Sequence, residues 1–170
     1  MLILKFFQTL IKALNTDGTP GQVAAGMALG LAFGLTPLLS LHNVVVLAVA
    51  MLTTVSFPGV MLGWALSIPL GFALDPLFDK VGMALLTNES LTPVFVWIVN
   101  TPVVSLSRLN NTVVVGSLVC WLLALIPSYF VFKVLVTRYR AHIYAKLEQT
   151  KVFQAIKASK LYGVYEMFRT

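Results

Sequence analysis

Charge is what this sequence has least of. Only 11% of its 170 residues are Asp, Glu, Lys or Arg, against 58% hydrophobic residues, and the mean hydropathy is +0.89. A soluble domain carries about 25% charged residues, so an ordinary soluble domain is excluded. Between Asp17 and Asp75 the only ionisable side chain is His42, and charge-free stretches also run from Glu89 to Arg108 and from Arg108 to Lys133. A membrane span needs about 20 mostly apolar residues, and these gaps are long enough for several. Cysteine is almost absent. Cys120 stands alone in an apolar stretch, which rules out an intrachain disulfide and leaves it the role of a small hydrophobe. His42 and His142 are far apart with no ligand partner nearby, so no metal or other cofactor is called for. The sequence also lacks GxSxG, HExxH, a phosphate-binding glycine loop and paired carboxylates beside a nucleophile, and it reads as no enzyme.

The few charges are sorted by position. Over residues 1–132, Lys5, Lys12, Lys80 and Arg108 balance Asp17, Asp75, Asp79 and Glu89, so the net charge of +6 lies wholly in the tail from Lys133 onward. Lys and Arg beside membrane ends mark the cytoplasmic side. The tail therefore places the C-terminus in the cytoplasm, and Lys5 and Lys12 place the N-terminus there too. A basic tail hung on an apolar core reads as an anchor to anionic lipid rather than as a nucleic-acid binder.

Residues 1–15 set Leu2, Ile3, Leu4, Phe6, Phe7, Leu10, Ile11, Ala13 and Leu14 on one helical half and Lys5, Gln8, Thr9, Lys12 and Asn15 on the other. Such a helix lies in the membrane interface. Thr19-Pro20 then reads as an N-cap with proline at the first helical position. The same device recurs at Thr36-Pro37, Thr92-Pro93 and Thr101-Pro102, and with aspartate at Asp75-Pro76, which implies several short or broken helices. Gly26, Gly30 and Gly34 follow one another at i+4, a small-residue face that lets two backbones approach closely. The segment that carries them is short for a full crossing and fits one arm of a re-entrant hairpin. Residues 112–136 form the one unmistakable full span.

Two distant segments match without gaps. Thr36-Pro37-Leu38-Leu39-Ser40-Leu41 aligns on Thr101-Pro102-Val103-Val104-Ser105-Leu106, and continuing the alignment sets Asn43 opposite Arg108. Membrane transporters often contain such repeats, with discontinuous helices meeting near the bilayer centre. If each Thr-Pro opens a helix, Thr101, Ser105, Arg108 and Thr112 fall within about 40° of one another, and Thr36, Ser40 and Asn43 form the shorter equivalent. Two helix N-termini and Arg108 would suit a phosphate or carboxylate. The simpler alternative has Arg108 at a helix end, snorkelling to lipid phosphate. Asp75 reads most simply as an N-cap and His42 as a packing group, with ion or proton coupling as the functional alternative for both.

The run Pro20-Gly-Gln-Val-Ala-Ala-Gly26-Met-Ala-Leu-Gly30-Leu-Ala-Phe-Gly34-Leu-Thr-Pro37, followed by Ser40 and His42, resembles the signature of the bacterial membrane family known as domain of unknown function 2062. Ser67-Ile-Pro69-Leu70, Asp75-Pro76 and Gly82 look like its second block, although Ser67-Ile68 stands where an Asn often precedes the Pro-Leu. The resemblance implies an inner-membrane location and an envelope partner, and no established activity. The expected fold is an all-α integral membrane protein of about four transmembrane helices with re-entrant or broken short helices. It is divided into an interfacial helix at 1–15, a membrane domain at 19–136 and a basic helical tail at 137–170. The expected function is movement of an anionic lipid or polyprenyl phosphate, the alternative a membrane subunit that anchors or assembles an envelope complex. Candidate partners are anionic membrane lipids, a large envelope protein and a second copy of the chain.

Overall fold

The computed structural model describes residues 18–144, and these contain helices and no strand. The expected interfacial helix at 1–15 and the tail beyond 144 lie outside the described residues. Helix α1 (Pro20–Leu35) starts where the sequence says it should. The Thr19 hydroxyl accepts from the Gln22 amide at 3.2 Å, and the Gln22 carboxamide accepts from the Thr19 amide at 2.7 Å. This is a reciprocal capping box with proline in the first turn. Helices α2 (Leu41–Leu52), α3 (Phe57–Leu86), α4 (Thr92–Asn100), α5 (Pro102–Ser105) and α6 (Thr112–Arg138) follow, with a 3-10 turn at Glu89–Leu91 and a π-helical turn at Tyr139–Tyr144. Helix α6 runs to Arg138, across the boundary expected between 136 and 137.

Three of the four Thr-Pro pairs stand at helix starts, Thr19-Pro20 at α1, Thr92-Pro93 at α4 and Thr101-Pro102 at α5, but only Thr19 caps with its side chain, and Thr36-Pro37 opens no helix. Thr36 closes α1, its amide and hydroxyl both donating to the Ala32 carbonyl at 3.0 and 2.7 Å. The Thr101 hydroxyl likewise donates back to the Trp97 carbonyl of α4 at 2.8 Å, and the Thr92 hydroxyl to Asn88 at 3.4 Å. Proline disfavours helical geometry in the residue before it, so Thr36 and Thr101, both extended, end the helices that precede them. Asp75-Pro76 starts nothing, because Pro69 and Pro76 both lie inside the continuous α3. That tolerance is typical of helices whose freed carbonyls are satisfied by neighbours.

The body of the fold is α1, α3 and α6 in mutual contact. Two glycine stripes interleave between α1 and α3. A methyl group added at Gly26 would strike the Ser56 carbonyl oxygen, one at Gly30 that of Val60, and one at Gly34 the Ser67 hydroxyl. From the other side, a methyl at Gly59 would lie 2.7 Å from the Val23 carbonyl oxygen, and methyls at Gly63 and Gly71 would strike those of Met27 and Gly34. Numbers rise together along both helices, so α1 and α3 run parallel with their backbones touching. Helix α6 runs antiparallel to both. Gly82 meets Thr112 and Gly116 meets Phe78, while the Trp121 indole donates to the Ala28 carbonyl at 3.0 Å. Val23, Met27, Leu62 and Val136 form one apolar cluster, and Leu31, Ala32, Val46 and Trp121 a second.

Helix α2 turns back along α1. Asn43 reaches Thr36, Val46 packs with Leu31 and Ala32, and the Ser56 amide donates to the Gln22 carbonyl at 3.1 Å. The α1–α2 pair is therefore a hairpin that begins and finishes at the same end of the molecule. Against the expectation of about four crossings, two helical stretches among the described residues are long and apolar enough to cross a membrane, Phe57–Leu86 and Thr112–His142. Helices α1 and α2, with 16 and 12 residues, are shorter apolar helices.

Candidate functional site

The hairpin tip is where polar groups gather. Gly34 abuts Gly71, the middle of the 30-residue α3, so the tip at residues 36–40 lies half-way along that helix. Thr36, Ser40 and Asn43 are all buried there, and Asn43 is only 2% exposed. The Asn43 carboxamide nitrogen donates to the Thr36 hydroxyl and to the Pro37 carbonyl, each at 2.9 Å. The Ser40 hydroxyl donates to Pro37 O at 2.7 Å and lies 2.9 Å from His42 Nε2. This network closes the tip on itself and pairs the polar side chains buried beneath the exposed Leu38 and Leu39. Two side-chain atoms at the tip are buried without any partner, Asn43 Oδ1 and His42 Nδ1.

The second copy of the repeat shares the local geometry and not the surroundings. Thr101 bonds back to its own i−4 carbonyl as Thr36 does, and the Ser105 hydroxyl donates to Pro102 O at 2.8 Å as Ser40 does to Pro37 O. Yet α4 and α5 contain no buried residue. The expected polar stripe through Thr101, Ser105, Arg108 and Thr112 does not form, because α5 ends after one turn. Arg108 is exposed in a loop with φ of 57°, a left-handed conformation that breaks helical continuation. Thr112 turns instead to Asp79, donating its hydroxyl to that carboxylate. The two halves of the expected anion site are also far apart. The tip is level with Gly71, and α6 begins opposite Gly82, about 16 Å further along α3 at helical rise. No hydrogen bond among the described residues joins Thr36, Ser40 or Asn43 to Thr101, Ser105 or Arg108.

Asp75 is half-buried on α3, and no hydrogen bond or ion pair to its carboxylate occurs among the described residues. His42 caps the tip through Ser40. Among the described residues no group of His, Cys, Asp or Glu could hold a metal ion. The contacts that sequence reasoning missed are the second glycine stripe at Gly59, Gly63 and Gly71, the Gly82–Gly116 crossing, the Trp121–Ala28 bond and the Asp79–Thr112 bond. The first had a signal in the small residues at i+4 from Gly59 to Gly71, with Ser67 between.

A family model described as an uncharacterized protein conserved in bacteria (DUF2062) matches residues 4–144, a stretch that includes every residue of the hairpin, α3 and α6. The chain belongs to the DUF2062 family. A protein of Treponema pallidum (strain Nichols), itself described as an uncharacterized protein, is 30% identical over 156 residues, which is 90% of this chain and 94% of that one. No solved structure matches the chain. In this DUF2062 protein, of the residues that carried the family resemblance, Pro20 opens α1, Gly26, Gly30 and Gly34 line the α1–α3 contact, and Pro37, Ser40 and His42 lie at the hairpin tip. Pro69, Pro76 and Gly82 belong to the helix against which that hairpin packs.

Proposed function

We propose that the protein is a bacterial inner-membrane protein that moves, or assists the movement of, an anionic amphiphile such as a phospholipid or polyprenyl phosphate. One observation carries this reading: a non-helical turn whose polar side chains Thr36, Ser40 and Asn43 are buried, with Leu38 and Leu39 exposed, sits half-way along a helix long enough to cross a bilayer. At about 45 Å by helical rise, α3 exceeds the ~30 Å hydrocarbon core, so its middle lies near the bilayer centre. Non-helical backbone at that depth is tolerated only inside protein or beside a polar cavity. Carriers use such broken helices to hold substrate near the midplane.

In this reading α3 and α6 cross the membrane, and α1–α2 enters and leaves from one face. Lys133, Arg138 and Arg140 lie towards the end where α1 begins, and the Arg140 guanidinium donates to the Gly18 carbonyl at 2.8 Å. Cationic residues at that end support a cytoplasmic position for it, with both termini on that side. Arg108, at the opposite end, then acts at the outer surface as a contact for headgroup phosphate. The test is transbilayer movement of a fluorescent anionic lipid in vesicles reconstituted with the full-length protein. The reading expects accelerated movement that Arg108→Gln slows while insertion is unchanged. Movement no faster than in empty vesicles refutes it.

A second reading has its own observation. Helices α4 and α5 bury nothing, and Val94, Val96, Trp97, Val99, Val103 and Leu106 are all exposed. That apolar ledge supports a subunit that holds an envelope partner, and replacing Trp97 and Val103 by Ser would then release a co-purifying protein without affecting lipid movement.

A further inference from the structure

The orientation of the Asn43 side chain at the hairpin tip is fixed by its neighbours. Its carboxamide nitrogen faces Pro37 O at 2.9 Å and Leu38 O at 3.5 Å, both of which can only accept. Its third neighbour, the Thr36 hydroxyl, has already given its proton to Ala32 O. Flipping the amide would set oxygen against oxygen, so the nitrogen stays and Oδ1 is left as an acceptor with no donor. The Ser40 hydroxyl has one proton and two acceptors in reach, Pro37 O at 2.7 Å and His42 Nε2 at 2.9 Å; given to the nearer carbonyl, it leaves Nε2 to act as the donor. The imidazole then carries its proton on Nε2, and Nδ1 is a second acceptor with no donor. Both atoms are buried, on adjacent residues of the first turn of α2.

A buried acceptor without a donor is costly to keep. Two of them on one turn describe a site missing its donor. The same turn also offers the reverse chemistry, since Ser40 makes no side-chain cap. The amides of Leu41 and His42 have no acceptor among the described backbone bonds, and free amides at a helix start suit phosphate oxygens. We propose that the hairpin tip binds the headgroup of a phospholipid through a hydrogen-bond donor of that headgroup, a hydroxyl or an ammonium, with its phosphate on the free amides of Leu41 and His42. This deepens the lipid-movement reading by naming what the site recognises: the polar end beyond the phosphate, not charge alone.

The choline headgroup separates the two requirements, because it keeps the phosphodiester and has no N–H or O–H. The experiment is native mass spectrometry of the purified full-length protein from bilayer discs that contain phosphatidylcholine mixed with either phosphatidylglycerol or phosphatidylethanolamine. The donor-bearing lipid should be retained about tenfold over the choline lipid, the value of one or two hydrogen bonds to buried acceptors. His42→Phe keeps the ring and removes both nitrogens, and Asn43→Leu removes the carboxamide. Each should bring the preference to within about twofold. His42 is half-buried, so its variant tests the proposal even if Asn43→Leu fails to fold. Preference for the glycerol lipid identifies a hydroxyl as the donor, and preference for the ethanolamine lipid an ammonium; either supports the site. Equal retention of the choline lipid, no retained lipid, or undiminished preference in His42→Phe overturns it. Selective retention without transbilayer movement would sink the movement reading and leave this one standing. Movement of all lipids alike would do the reverse.

Discussion

Gly30→Ala is the sharpest perturbation of the packing described above, because alanine is normally the better helix residue. In an exposed helix the change would gain about 1 kcal/mol from propensity. Here the added methyl would strike the Val60 carbonyl oxygen and lie 2.9 Å from both the Trp64 amide nitrogen and the Val60 carbonyl carbon. All three are backbone atoms of α3, so no side-chain rotation relieves the contact and the two helices must move apart. Overpacking of this kind costs about 1–3 kcal/mol, and separation also loosens the contacts at Gly26, Gly34, Gly59 and Gly63. The same helix provides its own control. A methyl at Gly21 would meet the Tyr129 hydroxyl at 3.4 Å, an ordinary van der Waals distance, so Gly21→Ala should be neutral or stabilising by up to about 1 kcal/mol. At about 2–4 °C per kcal/mol for a chain of this size, thermal melting in detergent should put Gly30→Ala several degrees below wild type and Gly21→Ala at or above it. If both variants shift alike, the helices are not in backbone contact at Gly30 and the parallel glycine interface is wrong.

Other expectations follow from single contacts. Trp121→Phe keeps the ring in its cluster and loses the bond to Ala28, so it should cost about 0.5–1.5 kcal/mol, read by the same melting assay. Thr112→Val and Asp79→Asn should each destabilise by less than about 1 kcal/mol for an exposed bond, and a double-mutant cycle should show that the two losses do not add. Arg108→Gly removes a non-glycine residue from left-handed backbone, so it should leave stability unchanged or raise it by up to about 1 kcal/mol. Lipid movement should nevertheless fall as in Arg108→Gln, and a variant that is stable and fully active contradicts the phosphate contact.

How much of this was legible depended on whether a residue's role was local. The capping box of Thr19 and Gln22 could be read directly, since Thr-Pro-Gly-Gln supplies every group it needs. The face formed by Gly26, Gly30 and Gly34 was visible as spacing. What covers that face depends on a partner thirty residues away in sequence, and the parallel course of α1 and α3 depends on α2 turning back between them. The pair Thr36-Pro37 misleads because the dipeptide is symmetric in its consequences. The proline ends one helix and can begin another, and the hydroxyl takes whichever backbone group is nearer. At Thr36 and Thr101 that was the carbonyl behind. Arg108 was placed on a helical stripe by a spacing argument that needed the helix to continue, and one left-handed residue in the loop removed the premise. Asp75-Pro76 reads as a helix start because proline is unusual inside a soluble helix, yet it lies within the continuous α3. Asn43 and Ser40 group with Thr36 by spacing alone, but their mutual bonding, and the two acceptors it leaves over, need the turn itself.

The central claim is that α1 and α2 form a hairpin that enters and leaves the membrane on one face with its tip half-way across. Single-cysteine accessibility in intact cells tests it most directly, with Cys120 replaced by Ala and one cysteine introduced at a time. The account predicts that Thr54→Cys is labelled by an impermeant thiol reagent only after the inner membrane is opened, and that Asn88→Cys is labelled from outside. Leu39→Cys, at the tip, should be refractory from both faces. Labelling of Leu39→Cys from outside, with Thr54→Cys protected, would make α1 and α2 two full crossings and contradict the account.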